Sequence, residues 1–295
     1  MKFLEKHPAV MVVIGVLGIS LSSIFVKYSQ APSAVTAVWR LLWTVLLLTP
    51  AALRPKVRQE FRKSGRKITL LSMLSGVFLA VHFVLWFESL KHTSVASSTT
   101  IVCTEVIWVA LGFCLFLKGK LAVRAILAIA VALGGSVMIA CSDSFGGGGL
   151  YGDVLALLAA VAVAGYTLLG AVIREKVSTT VYTYVVYTAC AAVLVVTCIV
   201  QGAGLFAYGF SAPVVGLLLA LFSTILGHSI FSWCLKYFSP AFVSASKLCE
   251  PVVAALLAAV LFGEIPGLWQ LLGGALVLAG VLAYSRQEMK NDRGQ

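Results

Sequence analysis

The sequence is short of charge, and above all of acidic residues. Only 11% of its 295 residues are charged, with 11 acidic against 22 basic side chains, while 60% are hydrophobic. A soluble domain has about 25% charged residues and about 45–50% apolar ones. So little charge cannot cover a water-exposed surface, and the apolar excess is expected to face lipid. The composition predicts an integral membrane protein, and its long apolar runs predict an all-α one.

Motifs of catalytic and cofactor sites are also missing. The chain has no Walker A motif and no HExxH motif, and no aspartate lies well inside an apolar segment. An intramembrane enzyme would need such a metal motif, paired aspartates or a nucleophile with its base. The seven cysteines lie in or beside apolar runs without CxxC spacing, which favours packing over disulfides or metal binding. We therefore predict no enzymatic activity, no ATP hydrolysis, no cofactor and no metal.

Ten apolar segments each approach the length of about 20 residues that a helix needs to cross a bilayer. The segments are 9–29, 33–53, 69–90, 95–117, 122–141, 151–173, 180–201, 213–235, 242–262 and 267–285. Most connectors between them are so short that successive helices must be antiparallel neighbours. No polar stretch is long enough to form a soluble domain.

The basic residues are distributed asymmetrically about these segments. The net charge of +11 is spread over short connectors, so we do not expect a nucleic-acid partner. All but four of the basic residues fall on one side of the membrane. The exceptions are Lys27 and Lys91 near the opposite face, and Arg40 and Lys247 inside segments. The positive-inside rule then places both termini in the cytoplasm.

The chain is predicted to consist of two repeats. Residues 142–150 include four consecutive glycines and are expected to form a flexible external linker, which divides the chain into residues 1–145 and 146–295. Each part has five segments, and because five is odd, the second enters the membrane in the inverted orientation. At an offset of 145 residues Glu105 matches Glu250, and Gly135 matches Gly280. Inverted repeats are typical of secondary transporters.

Further motifs carry a family resemblance. They are Trp39-Arg40 in the second segment, Glu250-Pro251 and Leu261-Phe262-Gly263-Glu264 in the ninth, and Gly273-Gly274 with Gly280-Val281 in the tenth. In this order the chain resembles the drug/metabolite transporter superfamily, in particular its ten-helix EamA-type members. The resemblance implies a transporter of small metabolites. The first repeat departs from the pattern, since Glu105-Val106 stands where many members have a proline.

Polar side chains inside the segments mark a candidate site, because a charge at the bilayer centre costs about 2.5–3.5 kcal/mol on insertion scales. Glu105 and Glu250 lie near the middle of their segments, the depth at which inverted-repeat transporters bind substrates. The predicted residues for substrate binding or coupling are Arg40, Trp43, His82, Trp86, Glu105, Trp108, Tyr166, His228, Lys247 and Glu250.

The charged candidates have structural alternatives. Glu250 follows Lys247 by three residues, so the two could form an ion pair on one helix. Glu105 has no basic residue within one turn, and its partner must be another helix, a substrate or a proton. Arg40 lies near the outer end of its segment and could instead extend to the interface. His82 and His228 could equally be packing residues.

The charges also bear on the substrate class. If both glutamates ionise, Arg40, Lys247, Glu105 and Glu250 sum to zero, which favours a zwitterion such as an amino acid. If Lys247 and Glu250 neutralise each other, Glu105 with aromatic neighbours favours an organic cation. We predict transport of an amino acid or related amine by alternating access, with protons as a possible coupling ion. Export of organic cations is the alternative, and a channel or an intramembrane enzyme are remote ones. The lack of long loops and targeting segments fits a multi-pass protein of the bacterial plasma membrane.

Overall fold

A computed structural model describes residues 8–93, 95–142, 150–262 and 267–293 as helices joined by short turns, without a strand in these ranges. The predicted linker glycines, the boundary between residues 145 and 146, and the Gly263-Glu264 pair lie outside the described residues. The helical architecture confirms the predicted all-α class.

Fifteen α-helices follow one another in the described ranges. They are α1 (Pro8–Ser20), α2 (Ser22–Lys27), α3 (Ser33–Ala52), α4 (Pro55–Lys63), α5 (Gly65–His92), α6 (Val95–Cys103), α7 (Glu105–Phe116), α8 (Val123–Ser142), α9 (Leu150–Arg174), α10 (Thr179–Val200), α11 (Ser211–Leu218), α12 (Ile230–Cys234), α13 (Pro240–Ser246), α14 (Glu250–Phe262) and α15 (Leu268–Arg293). A π-helical segment, Leu219–Ser229, joins α11 to α12, and a 3-10 turn, Lys247–Cys249, joins α13 to α14.

Eight helical stretches of the described chain are long and apolar enough to cross a membrane. They correspond to all of the predicted segments except the fifth and the ninth. The fifth contains a shorter apolar helix, Val123–Ile139. The ninth consists of two short helices, α13 and α14, with the 3-10 turn between them.

The fourth and ninth segments break at matching points. α7 begins at Glu105 and α14 begins at Glu250, and 145 residues separate the two. In the first break Thr104 turns its hydroxyl onto the carbonyl of Ile101, at 2.6 Å. In the second, Pro251 has no backbone N–H for the preceding turn. Each glutamate is therefore the first residue of a half-helix, where the helix dipole favours a negative charge.

The contacts between segments follow a twofold pattern. In segment numbers, the second packs on the seventh, the fifth on the tenth, the fourth on the ninth, the first on the eighth and the third on the sixth. A twofold axis exchanges each segment of the first half with the one five places later. The contact of the first with the eighth then becomes that of the sixth with the third, and each of the other three contacts is converted into itself. The pattern is the one expected of two similar halves related by a twofold axis.

Glycines bring the backbones of α8 and α15 into close contact. A Cβ atom at Gly135 would lie 2.5 Å from the carbonyl oxygen of Gly273, and one at Gly280 would lie 2.6 Å from that of Ala128. Small residues allow this approach, and close packing is the main force between helices in lipid. The glycines therefore allow α8 and α15 to pack closely.

Candidate functional site

A cavity of about 50 Å³ lies between the two halves, lined by members of both buried apolar clusters of the molecule. Seven of the ten predicted site residues line it: Arg40, His82, Trp86, Glu105, His228, Lys247 and Glu250. They come from α3, α5, α7, the π-helical segment and the broken ninth segment. Residues far apart in sequence thus meet in one polar pocket.

An ion pair joins the two halves at this cavity. Lys247 Nζ lies 2.8 Å from Glu105 Oε1, and the side chains of the two residues are only 10% and 5% exposed. The partner of Glu105 therefore comes from another helix. In the described residues no basic nitrogen lies within 4.0 Å of the Glu250 carboxylate, so the structure pairs Lys247 with Glu105 and not with Glu250. Spacing within the ninth segment could not reveal this, because Glu105 approaches from the other half.

Arg40 is fully buried beside the same cavity, with 1% of its surface exposed. Its Nε donates a hydrogen bond to Thr224 Oγ1 at 2.7 Å, and its Cζ lies 4.4 Å from the centre of the Phe83 ring. The structure thus contradicts the alternative that Arg40 extends to the membrane interface, because Thr224 and Phe83 hold the guanidinium inside the protein. No carboxylate of the described chain lies within 4.0 Å of it. A buried cation of this kind favours an anionic partner.

The cavity gathers polar atoms that have no partner. Among the described residues, eight buried side-chain nitrogen or oxygen atoms make no hydrogen bond, and five belong to residues that line this cavity. The five are Arg40 Nη2, Trp86 Nε1, Thr99 Oγ1, Ser223 Oγ and His228 Nδ1. Proteins rarely leave buried polar atoms unsatisfied. Their concentration at one place indicates a site for water or a polar ligand.

Histidine and aromatic rings form one wall of the site. His82 stacks on Trp86 with ring centres 5.9 Å apart and planes 12° apart. Its Nδ1 lies 3.0 Å from the carbonyl oxygen of Ala159, which only accepts, so Nδ1 carries the proton. The ring of His228 meets Phe83 edge to face at 5.6 Å. Packing therefore orients both histidines, while Nδ1 of His228 remains without a partner.

Three predicted site residues lie outside the cavity. Trp108 is 36% exposed on the outer surface, because α7 buries the face of Glu105, Val106, Val109 and Gly112 and places Trp108 on the other side. Trp43 donates from Nε1 to the carbonyl of Pro213 at 3.0 Å and so holds α3 to α11. Tyr166 is buried behind His228, and its hydroxyl lies 2.8 Å from Ser232 Oγ.

Small polar residues also line the cavity, and the sequence did not predict them as site residues. They are Ser22, Thr99, Cys103 and Ser223. Thr99 belongs to the run Ser97-Ser98-Thr99-Thr100 inside an apolar segment, which is a visible signal. Ser223 and its neighbour Thr224 lie in the π-helical segment, where ordinary helical spacing does not predict which side chains share a face.

The fold and the site together define a class of protein: an α-helical membrane transporter with a polar cavity between two similar halves. The model of the EamA-like transporter family matches the chain twice, at residues 7–141 and 150–286. The chain belongs to the EamA-like transporter family, and thus to the drug/metabolite transporter superfamily.

Two individual proteins are similar to it. An uncharacterized transporter, YxxF of Bacillus subtilis (strain 168), is 27% identical over 281 residues, which cover 92% of this chain and 85% of that protein. A solved crystal structure with 16% sequence identity superposes with a TM-score of 0.79, over 97% of this chain and 98% of that one. At this identity the structural similarity shows the fold alone.

Proposed function

We propose that the protein is a secondary transporter of a small zwitterionic metabolite, an amino acid or a related amine. The observation that carries the proposal is the group of five unpartnered polar atoms around one buried cavity between the halves. A substrate with hydrogen-bonding groups would satisfy these atoms when it binds. Inverted-repeat transporters hold their substrates at such a position.

The charges of the cavity support a zwitterion. Glu105 and Lys247 neutralise each other at 2.8 Å. Arg40 and Glu250 remain, and neither has an ion partner within 4.0 Å in the described chain. A carboxylate would bind the free Nη2 of Arg40, and an ammonium group would bind Glu250. A substrate with both groups would balance the site.

The size of the cavity supports alternating access. Ligand pockets usually measure about 300–1,000 Å³, whereas this one measures about 50 Å³. The small volume therefore supports a step in which the halves separate to admit a metabolite. The Glu105–Lys247 pair spans the halves and would lengthen in that step. Protonation of Glu105 would release Lys247, which gives a route by which a proton could couple to transport.

Ten crossings of a bacterial plasma membrane with cytoplasmic termini complete the proposal. The asymmetry of basic residues supports this topology, and the similar Bacillus subtilis transporter supports a bacterial setting. The EamA-type fold favours transport over catalysis and over a channel, which would usually build its filter by oligomeric symmetry.

Export of organic cations is the second candidate function. The Glu250 carboxylate without a basic partner and the His82–Trp86 stack favour it, because aromatic rings and a carboxylate attract cations. The guanidinium of Arg40, which has no carboxylate within 4.0 Å in the described chain, opposes it. The two candidates therefore differ in the part that Arg40 plays.

A ligand panel on three purified proteins separates the candidates. We would measure the thermal shift of wild type, Arg40→Gln and Glu250→Gln with amino acids, their methyl esters, the corresponding decarboxylated amines and quaternary ammonium compounds. A zwitterion site predicts stabilisation by an amino acid but not by its ester, and loss of that shift in both variants. Glu88→Gln is the matched control, because the side chain of Glu88 is 37% exposed and does not line the cavity.

The outcomes are distinct. Stabilisation by quaternary ammonium compounds that survives Arg40→Gln and is lost in Glu250→Gln would replace the zwitterion with an organic cation. A shift that survives both substitutions would place the substrate outside the cavity. Uptake into proteoliposomes would then test transport itself, since a carrier saturates with substrate and a channel does not.

A further inference from the structure

The connector between α3 and α5 contains an amphipathic helix with a paired arrangement of side chains. In α4, Val57 and Phe61 are four residues apart, and so are Arg58 and Arg62, so each pair projects from one face. No residue of α4 is buried, and Phe61 is 45% exposed. Basic residues beside an exposed aromatic ring are typical of a helix at the membrane surface.

A groove of about 350 Å³ lies between α4, the end of α3 and the start of α10. Its wall is largely apolar and includes Leu53, Val57, Phe61 and Val181, while Arg58 and Arg62 are its charged lining residues. The volume falls in the range of about 300–1,000 Å³ that is usual for ligand sites. The groove therefore combines an apolar wall with two guanidinium groups.

The two arginines have no counter-charge. Within the described residues, no carboxylate lies within 4.0 Å of Arg58 or Arg62. Glu60, the carboxylate between them in sequence, instead accepts a hydrogen bond from the backbone N–H of Ser178, just before α10. This bond fixes α4 against the second half. The connector thus presents its positive charge to the groove without neutralising it.

We propose that this groove binds one anionic phospholipid of the adjacent leaflet, with an acyl chain along the apolar wall and the phosphate between Arg58 and Arg62. Arginine binds phosphate through parallel hydrogen bonds, and two arginines four residues apart match its charge and size. Basic juxtamembrane segments attract anionic lipid in any case. The groove adds shape complementarity to the electrostatic attraction. Its lining residues differ from those of the cavity, so the lipid site is separate from the proposed substrate site.

The bound lipid would also connect the two halves. One wall of the groove belongs to the first half and the other belongs to α10 of the second. A ligand that binds only the folded protein raises its stability. We therefore expect phosphatidylglycerol to stabilise the protein, whereas a zwitterionic lipid of equal chain length does not.

The test is a thermal-unfolding measurement of the full chain in detergent. Phosphatidylglycerol, phosphatidylcholine and inorganic phosphate are added separately to wild type and to Arg58→Gln/Arg62→Gln. The expected result is a rise in Tm on the order of 5 °C with phosphatidylglycerol, and its loss in the double variant. The matched control is Arg66→Gln/Lys67→Gln, which removes the same charge from the adjoining first turn of α5 but leaves the groove lining unchanged.

A groove-filling variant keeps the test decisive if the double variant fails to fold. Ala52→Phe adds a ring to the groove wall and leaves every charge in place, and it should also abolish the shift. Three results would overturn the proposal: equal stabilisation by inorganic phosphate, equal loss in the Arg66/Lys67 control, or an unchanged lipid shift in Ala52→Phe. They would indicate a headgroup site, diffuse electrostatics and an unused groove, respectively.

Discussion

At the scale of single residues, a buried ion pair between Glu105 and Lys247 joins the two halves. Removal of one partner from a buried pair leaves an uncompensated charge and costs about 3–5 kcal/mol, whereas its replacement by apolar residues is often close to neutral. We expect Lys247→Met to lower Tm strongly and Glu105→Leu/Lys247→Met to recover most of the loss. Thermal unfolding in detergent measures both.

The exposed Glu88–Lys91 pair is the internal comparison for that experiment. Its atoms are also 2.8 Å apart, but both side chains are more than one third exposed. Such surface pairs contribute about 0–1 kcal/mol, so Glu88→Gln should leave Tm nearly unchanged. Equal effects of Lys247→Met and Glu88→Gln would show that the 2.8 Å contact across the halves does not matter for stability.

Arg40 permits a sharper substitution than charge removal. Lysine at this position keeps the positive charge but lacks the planar fork that donates to Thr224 while leaving Nη2 free. If Nη2 binds a substrate carboxylate, Arg40→Lys should weaken affinity about tenfold or more, with little change in Tm. Binding isotherms of the amino-acid hit from the ligand panel measure this. Unchanged affinity would remove Arg40 from the substrate site.

Sequence reasoning found seven of the 14 residues that line the cavity, six of them for one physical reason: a charge or histidine in lipid is costly, so its presence is informative. Arg40, Glu105 and Lys247 were all visible in this way. The ion partners of these residues could not be predicted, because the Glu105–Lys247 contact joins residues 142 positions apart. Aromatic residues carried less information. Trp108 suits a lipid-facing surface as well as a cavity, and its exposure of 36% shows the former position.

At the scale of helices, adjacent glycines of α8 provide a matched pair for a packing test. A Cβ at Gly135 would lie 2.5 Å from the Gly273 carbonyl oxygen, while one at Gly134 would meet nothing within 4 Å. Overpacking costs about 1–3 kcal/mol. Gly135→Ala should therefore lower Tm, and Gly134→Ala should leave it unchanged or raise it. Similar losses in both variants would mean that helix geometry, and not the contact with α15, determines the effect.

Helix positions followed from apolar length, but interruptions did not. The predicted segment 213–235 contains a π-helical stretch of 11 residues, and the predicted segment 95–117 is divided at Thr104. Pro251 gave a signal for the break in the ninth segment, because proline removes a backbone donor. Thr104 gave none, since threonine is common in continuous membrane helices.

At the scale of the whole molecule, the twofold contact pattern relates the site to its surroundings. The two half-helix starts, Glu105 and Glu250, occupy equivalent places, yet Lys247 pairs with only one of them. The equivalent of Lys247 in the first half is Val102, at the offset of 145 residues. The halves are thus similar in fold and different in charge. The two conformations of the proposed alternating-access cycle are therefore expected to differ in free energy.

The number of membrane crossings can be tested by experiment. Eight stretches are long enough to cross by themselves, and the fifth and ninth predicted segments are not among them. If α8 crosses as predicted, the linker at residues 146–149 lies outside. If it does not cross, the linker lies in the cytoplasm. The C-terminus is cytoplasmic whether the fifth and ninth segments both cross or both do not.

Reporter insertions distinguish these arrangements. We expect alkaline phosphatase to be active when inserted at residue 147 and inactive at residue 60 or at the C-terminus, because the basic connectors remain inside. A second insertion at residue 265 tests the ninth segment in the same way and should also be active. An inactive fusion at 147 together with an active one at 265 would reduce the crossings to eight. The close glycine contact of α8 with α15, which is long enough to cross, supports a crossing by α8.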